Sequence, residues 1–351
     1  MSIFPILTLF FLTLCTSIHG DITVSISSDG TGNFTSIQTA IDWLNPGING
    51  TSLGYVTLLI KGYFWERVHI YSNFTQGMAI IGVSPSISSS SSTTTSINDT
   101  YLPSDLIMYN VSGNSGAGTF NSWTFLIDAN NVTIYNLGIG NSANNYNKTA
   151  AGQSVALHLT GDRISVYNSY IYGGQDTLYT GKYRSYYSNI YINGTCDSIF
   201  GEGSAIFESS TIIMINTVTA QRGNGSTAYF FNNSYIDTVD SAKNALLLGR
   251  PWGPQAITIF RSCYMSAGID ALGWDDWGHD CTQGHSTWCN ETFYAEYNNS
   301  GPGYVPHSRP WWTYQLNQTE ADSWTMERIF HEWIPSVYPP AWITMLQKQD
   351  K

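Results

Sequence analysis

Apolar residues in this chain come in short runs broken by polar, turn-forming stretches. VTLLI (56–60), MAIIGV (78–83), WTFLI (123–127), VTIYNLGI (132–139), VALHL (155–159), ISVYNSYIY (164–172), SYYSNIYI (185–192), AIFESSTIIMI (205–215) and AITIFRSCYM (256–265) are separated by Gly, Asn and Asp. Runs this short, bounded by such residues, predict β-strands. No long helical pattern lies between them, which disfavours a helix-connected parallel sheet. Helical spacing occurs near the start. Ile22 to Leu44 opens as a strand, turns at Asp29-Gly30, and then sets Ile37, Ala40, Ile41 and Leu44 on one face of a short helix. Placed at the head of a stacked fold, that helix would cap the open end of the core. A second helical pattern, Trp324 to Trp333, is expected to pack on the side of the fold or to close its far end.

The polar positions carry a longer period. Gln153 and Gln175 are 22 residues apart, and Asp176 and Asp197 are 21 apart. A step near 21 is one coil of a parallel β-helix. Residues one coil apart stack on one face at roughly 4.8 Å, the spacing between strands. Two carboxylates and two amides would therefore meet on one wall, an arrangement suited to ester hydrolysis. Asn136/Asn168 and Tyr170/Tyr191 point to polar and aromatic stacking along the coils. A two-sheet sandwich is the competing architecture, and the regular step favours the all-β parallel β-helix.

Composition narrows the class. Charged residues make up 11% and aromatics 14%, which fits neither a disordered chain nor a helical bundle. The formal net charge is −11, with 14 Lys and Arg and no basic run, so nucleic-acid binding is not expected. The apolar run Ile3–Cys15 has the length of an export-signal core and is too short to span a membrane. We expect residues 1–20 to be a signal peptide, with cleavage after Ser17 or Gly20, and residues 21–351 to form one secreted domain. Asn-X-Ser/Thr sequons at Asn33, Asn49, Asn73, Asn98, Asn110, Asn131, Asn147, Asn193, Asn224, Asn232, Asn290, Asn298 and Asn317 point to a glycoprotein. A glycan on Asn193, four residues before Asp197, would obstruct the wall. Ser84–Thr95 is low in complexity and reads as a surface loop.

Without Cys15, the cysteines are Cys196, Cys263, Cys281 and Cys289, which allow three pairings. Cys281 and Cys289 share a loop and are the favoured pair. Cys196 and Cys263 lie roughly three coils apart, which disfavours direct bonding; either can instead serve as a small buried hydrophobe.

The motifs, taken in order, resemble the pectin methylesterases (pectinesterases). They are DGTGNFTSIQTAID (29–42), GYFWERV (62–68), GQSVAL (152–157), GGQDTLY (173–179), GTCDSIFG (194–201), TAQRG (219–223), LGRPWG (248–253), LGWDDW (272–277) and AEYNNSGPG (295–303). The resemblance runs from about Ile22 to about Trp333. It implies a right-handed parallel β-helix and, since the pattern begins directly after the export segment, no inhibitor-like pro-domain. It implies that Asp197 is the nucleophile, held by Arg250, and that Asp176 is the general acid/base. Gln153 and Gln175 would donate to the oxyanion. Tyr179, Phe200, Trp252 and Trp274 would be aromatic substrate-binding positions along a polymer cleft.

Three positions depart from the family pattern: Ser198 for a common Phe, Phe64 for Tyr in G-x-Y-x-E, and Cys196 for a common Val. Of these, Ser198 would loosen a cleft wall. The expected substrate is methyl-esterified homogalacturonan, with a proteinaceous inhibitor as a candidate partner and a monomeric enzyme. No metal or organic cofactor is implied. The alternatives are a family member acting on another ester and a non-catalytic pectin-binding protein.

Overall fold

Each apolar run becomes one strand, or two on adjoining sheets, as ISVYNSYIY does with Ile164–Tyr167 and Tyr170–Tyr172, and the strands pair with their counterparts one coil away, in parallel. The computed structural model describes residues 20–45, 53–85, 103–144, 152–239, 245–281, 286–333 and 335. Among these the chain forms three parallel sheets of eleven, eight and seven strands. One coil visits them in turn: Ile164–Tyr167 in the first, Tyr170–Tyr172 in the second, Leu178–Tyr179 in the third. The next coil repeats this with Arg184–Ser188, Tyr191–Asn193 and Ile199–Gly201. The register pairs Ile164 with Ser185, Tyr170 with Tyr191 and Leu178 with Ile199, the 21-residue step read from the sequence. The fold is a right-handed parallel β-helix.

Alternation within each strand separates core from surface. Ile171, Leu178, Ile192, Ile199 and Ile212 point inward and are fully buried. Along the first sheet the rings of Tyr187, Phe207, Phe231 and Phe260 stack at centroid distances of 4.5, 4.6 and 4.4 Å. The turn from the first sheet to the second repeats a left-handed residue: Asn136, Asn168, Asn189, Ser209, Asn233 and Ser262 have φ between 47° and 53°. Asparagine tolerates this region better than most residues, which accounts for its recurrence there. The Asn189 amide also donates to Asn168 Oδ1 across the coils at 2.7 Å.

The helix Ile37–Leu44 buries Ile37, Ala40, Ile41 and Leu44 over the first coil. Ser36 caps it, and Glu66 of the GYFWERV motif accepts from the backbone N–H groups of Ile37 and Gln38 at 2.8 and 3.2 Å. A carboxylate on a helix N-terminus satisfies orphan donors and opposes the helix dipole. At the other end of the chain, the helix Met326–Phe330 lays Ile329 and Phe330 on Tyr167, Tyr186, Ile206 and Phe230 of the first sheet's outer face. It therefore packs on the side of the solenoid.

Cys281 and Cys289 form a disulfide, while Cys196 and Cys263 are free thiols. Asn193 is only 1% exposed, so a glycan there would require the coil to open. Phe64 and Ser198 are also interior, at 3% and 0% exposure. The expectation that Ser198 loosens a cleft wall is therefore corrected: its side chain points into the solenoid. Most of the export segment, most of the low-complexity tract, and the sequons at Asn49, Asn98 and Asn147 lie outside the described residues. No helix among the described residues is long and apolar enough to cross a membrane.

Candidate active site

The outer face of the third sheet carries one in-register row: Ala220, Phe200, Tyr179, His158, Leu126 and His69 on successive coils. Their strand neighbours Ile199, Leu178, Leu157, Phe125 and Val68 fill the core. Two residues before the strands Leu178–Tyr179 and Ile199–Gly201 stand Asp176 and Asp197, with φ of 60° and 49°. Aspartate is among the few non-glycine residues that adopt this region readily. The Asp176 N–H donates to the Cys196 carbonyl at 3.0 Å, fixing one coil on the next. Gln153 and Gln175 form a parallel bridge on the adjoining coils.

These residues share one cavity of about 210 Å³, lined by Gln153, Gln175, Asp176, Asp197, Arg250 and Phe200, with Thr119, Phe120, Trp252 and Trp277 at its walls. Arg250 follows the strand Leu247–Gly249. Its Nε donates to Asp197 Oδ1 at 2.8 Å and its Nη2 to Oδ2 at 2.5 Å. This is the bidentate geometry at which a guanidinium orients a carboxylate most firmly. The Trp277 ring lies 4.0 Å from the guanidinium carbon, a cation–π contact on its face.

The electrostatics divide the two aspartates. Burial, and then the charge of Asp197, push the Asp176 carboxyl well above its ordinary value, with Arg250 opposing only in part. Burial acts to lower the Arg250 guanidinium, but the hydrogen bonds and charge of Asp197 outweigh it and hold Arg250 above its usual range. The site thus pairs a carboxylate clamped by a cation with a neighbour that favours its proton. Burial and the Asp197 charge push the Cys196 thiol up to about 12, which keeps it un-ionised and a poor nucleophile.

Phe200 and Trp252, 6.1 Å apart, line the cavity, and Tyr179, 7% exposed, packs on Phe200 at 5.0 Å without lining it. Trp274 does not join them. It is 2% exposed, stacks on Tyr294 at 4.4 Å, and donates from Nε1 to buried Glu296 at 3.2 Å. The reading of Trp274 as a substrate-binding residue is therefore corrected. It bridges Gly249 as a continuation of the third sheet, which turns its ring inward. Trp277, three residues on, supplies the aromatic wall instead. Phe120 and Thr119 were also missed; they belong to the 3-10 turn Thr119–Asn121, which no motif marks.

The sequence model of the pectinesterase family matches residues 22–332. The chain is 30% identical over 329 residues to pectinesterase 31 of Arabidopsis thaliana, covering 92% of this chain and 95% of that relative. It is 29% identical over 330 residues to the probable pectinesterase/pectinesterase inhibitor 7 of the same plant, covering 89% of this chain and 52% of that relative. The chain thus spans about half the length of the latter. Among solved structures, a pectin methylesterase from carrot superposes with a TM-score of 0.73 at 22% identity, covering 92% of this chain and 95% of that one. The structural likeness fixes the fold, and the match over residues 22–332 places the chain in the pectinesterase family of carboxylic ester hydrolases.

Proposed function

We propose that the protein is a secreted pectin methylesterase, hydrolysing the C6 methyl esters of galacturonate units in pectin to methanol and free carboxylate. The observation that carries this reading is the asymmetric pair of aspartates: Asp176 and Asp197 share a cavity on consecutive coils, and Arg250 clamps only Asp197. A clamped, ionised carboxylate is an oriented nucleophile, and a buried carboxyl with a raised pKa is a proton donor.

The chemistry follows from those states. An Asp197 oxygen attacks the ester carbonyl carbon, and the carbonyl electron pair moves to oxygen. The amides of Gln153 and Gln175 donate to that oxyanion, a contribution of several kcal/mol when donors are pre-placed. Asp176 gives its proton to the departing methoxy oxygen as the C–O bond breaks and methanol leaves. The acyl group is then an anhydride on Asp197. Ionised Asp176 takes a proton from water, whose oxygen attacks the acyl carbon. This releases galacturonic acid, which gives its proton to solvent to become the carboxylate, regenerates Asp197 and leaves Asp176 protonated. Phe200, Trp252 and Trp277 offer apolar faces to sugar rings on either side.

Release of methanol from highly methylated pectin, measured beside release of acetate from acetylated pectin, tests the substrate class. Methanol without acetate is expected. Acetate without methanol would move the chain to another ester.

A further inference from the structure

The motif GYFWERV carries aromatics at the two positions that G-x-Y-x-E leaves open. Strand alternation sends Phe64 into the core and turns Tyr63 and Trp65 outward, where they are 50% and 52% exposed. The strand Tyr63–Trp65 is the end strand of the second sheet, whereas the catalytic cavity lies on the third. The two rings are 6.4 Å apart, and Trp65 touches Tyr109 of the neighbouring strand Leu106–Tyr109 at 5.9 Å. Exposed rings on an end strand invite association with other chains, and proteins cover or blunt such edges. An attachment point for a cover stands beside these rings. Asn110 is exposed, directly follows Tyr109, and opens the sequon Asn110-Val111-Ser112. Trp65 pairs in register with Met108, so Asn110 stands two residues along the strand direction and one strand across, roughly 8 Å away backbone to backbone. The chain is pinned just after it. The Val111 N–H donates to Oδ1 of buried Asn141 at 3.4 Å, and the Val111 carbonyl accepts from Nδ2 of Asn141 at 3.0 Å.

We propose that Asn110 carries an N-linked glycan whose first N-acetylglucosamine lies on the outward rings of Trp65 and Tyr109. The proposal rests on the reading of the chain as secreted, because the modification is made on the export route. In the transfer, the Asn110 amide nitrogen bonds the anomeric carbon of a lipid-pyrophosphate-linked oligosaccharide. The bond from that carbon to the pyrophosphate oxygen breaks, and one amide proton leaves with the lipid pyrophosphate. The C–H face of the first sugar carries the slight positive charge that the negative face of an aromatic ring attracts. The hydroxyls and the outer sugars stay in water and shield the sheet edge. The sequons are not alike in this respect. Asn193 is buried, and the Asn232 amide nitrogen donates to both oxygens of Glu208, at 3.1 and 3.0 Å, contacts that a glycan would break. At Asn110 the glycan adds cover where the sheet lacks it.

The test is hydroxyl-radical footprinting of the full chain expressed in a eukaryotic host, read by mass spectrometry of the peptides that hold Asn110 and Trp65. The wild-type Asn110 peptide should carry the glycan, and Trp65 should oxidise about threefold more slowly than in Asn110→Gln, since a stacked sugar covers one ring face. Trp311, 59% exposed and at the opposite end of the solenoid, should oxidise equally in both, which shows that the variant is folded. Trimming the wild-type glycan to its first sugar should keep the protection of Trp65, and removing the glycan whole should abolish it without any substitution. An unmodified Asn110 in a chain glycosylated at other sequons would overturn the proposal. So would a glycan at Asn110 that leaves Trp65 oxidising as fast as in Asn110→Gln, or protection that is lost on trimming to the first sugar. A chain that stays inside the host, bare at every sequon, would overturn the secreted reading itself, and the proposal with it.

Discussion

Asp176 and Asp197 have the same residue type, the same place in the coil and the same left-handed backbone, yet only Asp197 carries a guanidinium. In the proposed mechanism that difference sets their roles, and it has a cost at Asp176. Because its folded pKa is raised, the stability it contributes is full below the ordinary carboxylate value, about 3.9, and is lost as pH rises through the folded value. Asp176→Asn should therefore melt above wild type at neutral pH, with the gap closing toward pH 4. Melting temperatures across that range check it, and a gap independent of pH would contradict it. Arg250→Lys keeps the charge but loses the paired donors to Asp197, so kcat should fall by about 10²-fold or more, a loss of the size seen when one oriented electrostatic contact goes. Steady-state rates measure it. At this scale the sequence was informative where placement depends on coil position: the step of 21–22 residues brings Gln153, Gln175 and the two aspartates into one cavity. It was not where placement depends on which way a ring turns: Trp274 and Trp277 share one motif, yet Trp274 bridges Gly249 with its ring inward, while Trp277, in the following turn with φ of 53°, lies over Arg250.

Elements are held by polar groups that the motifs contain but do not explain. Glu66 closes the N-terminus of the helix Ile37–Leu44, so Glu66→Ala should cost about 1–2 kcal/mol, the range of a lost cap. Glu296 and Arg309, 1% and 2% exposed, pair at 2.7 Å beneath Trp274 and hold the last coils together. Glu296→Ala leaves a buried guanidinium uncompensated and should cost about 3–5 kcal/mol. Denaturant unfolding of both variants separates the two magnitudes, and similar small losses would contradict the second. The strands were legible because short apolar runs with Asn turns recur at a constant step. The 3-10 turn Thr119–Asn121, whose Thr119 and Phe120 wall the site, carries neither apolar period nor motif and was not.

Across the whole molecule, the helix Met326–Phe330 covers part of the first sheet, while the third sheet's outer face bears the cleft. That division was only partly readable: the 21-residue step implied stacked coils with a shared wall, but which sheet's outer face is covered depended on where the C-terminal helix docks. The net charge of −11 adds a property of the molecule as a unit. Retention on a pectate column should be weak at low ionic strength, since like charges repel with least screening there; tight retention would contradict it. The central claim is that Asp197, clamped by Arg250, is the nucleophile of a methyl-ester hydrolase. Methanol release from highly methylated pectin by wild type and by Asp197→Asn tests it most directly. The account predicts release by the wild type and its loss in a folded variant; release by both would place the nucleophile elsewhere and contradict it.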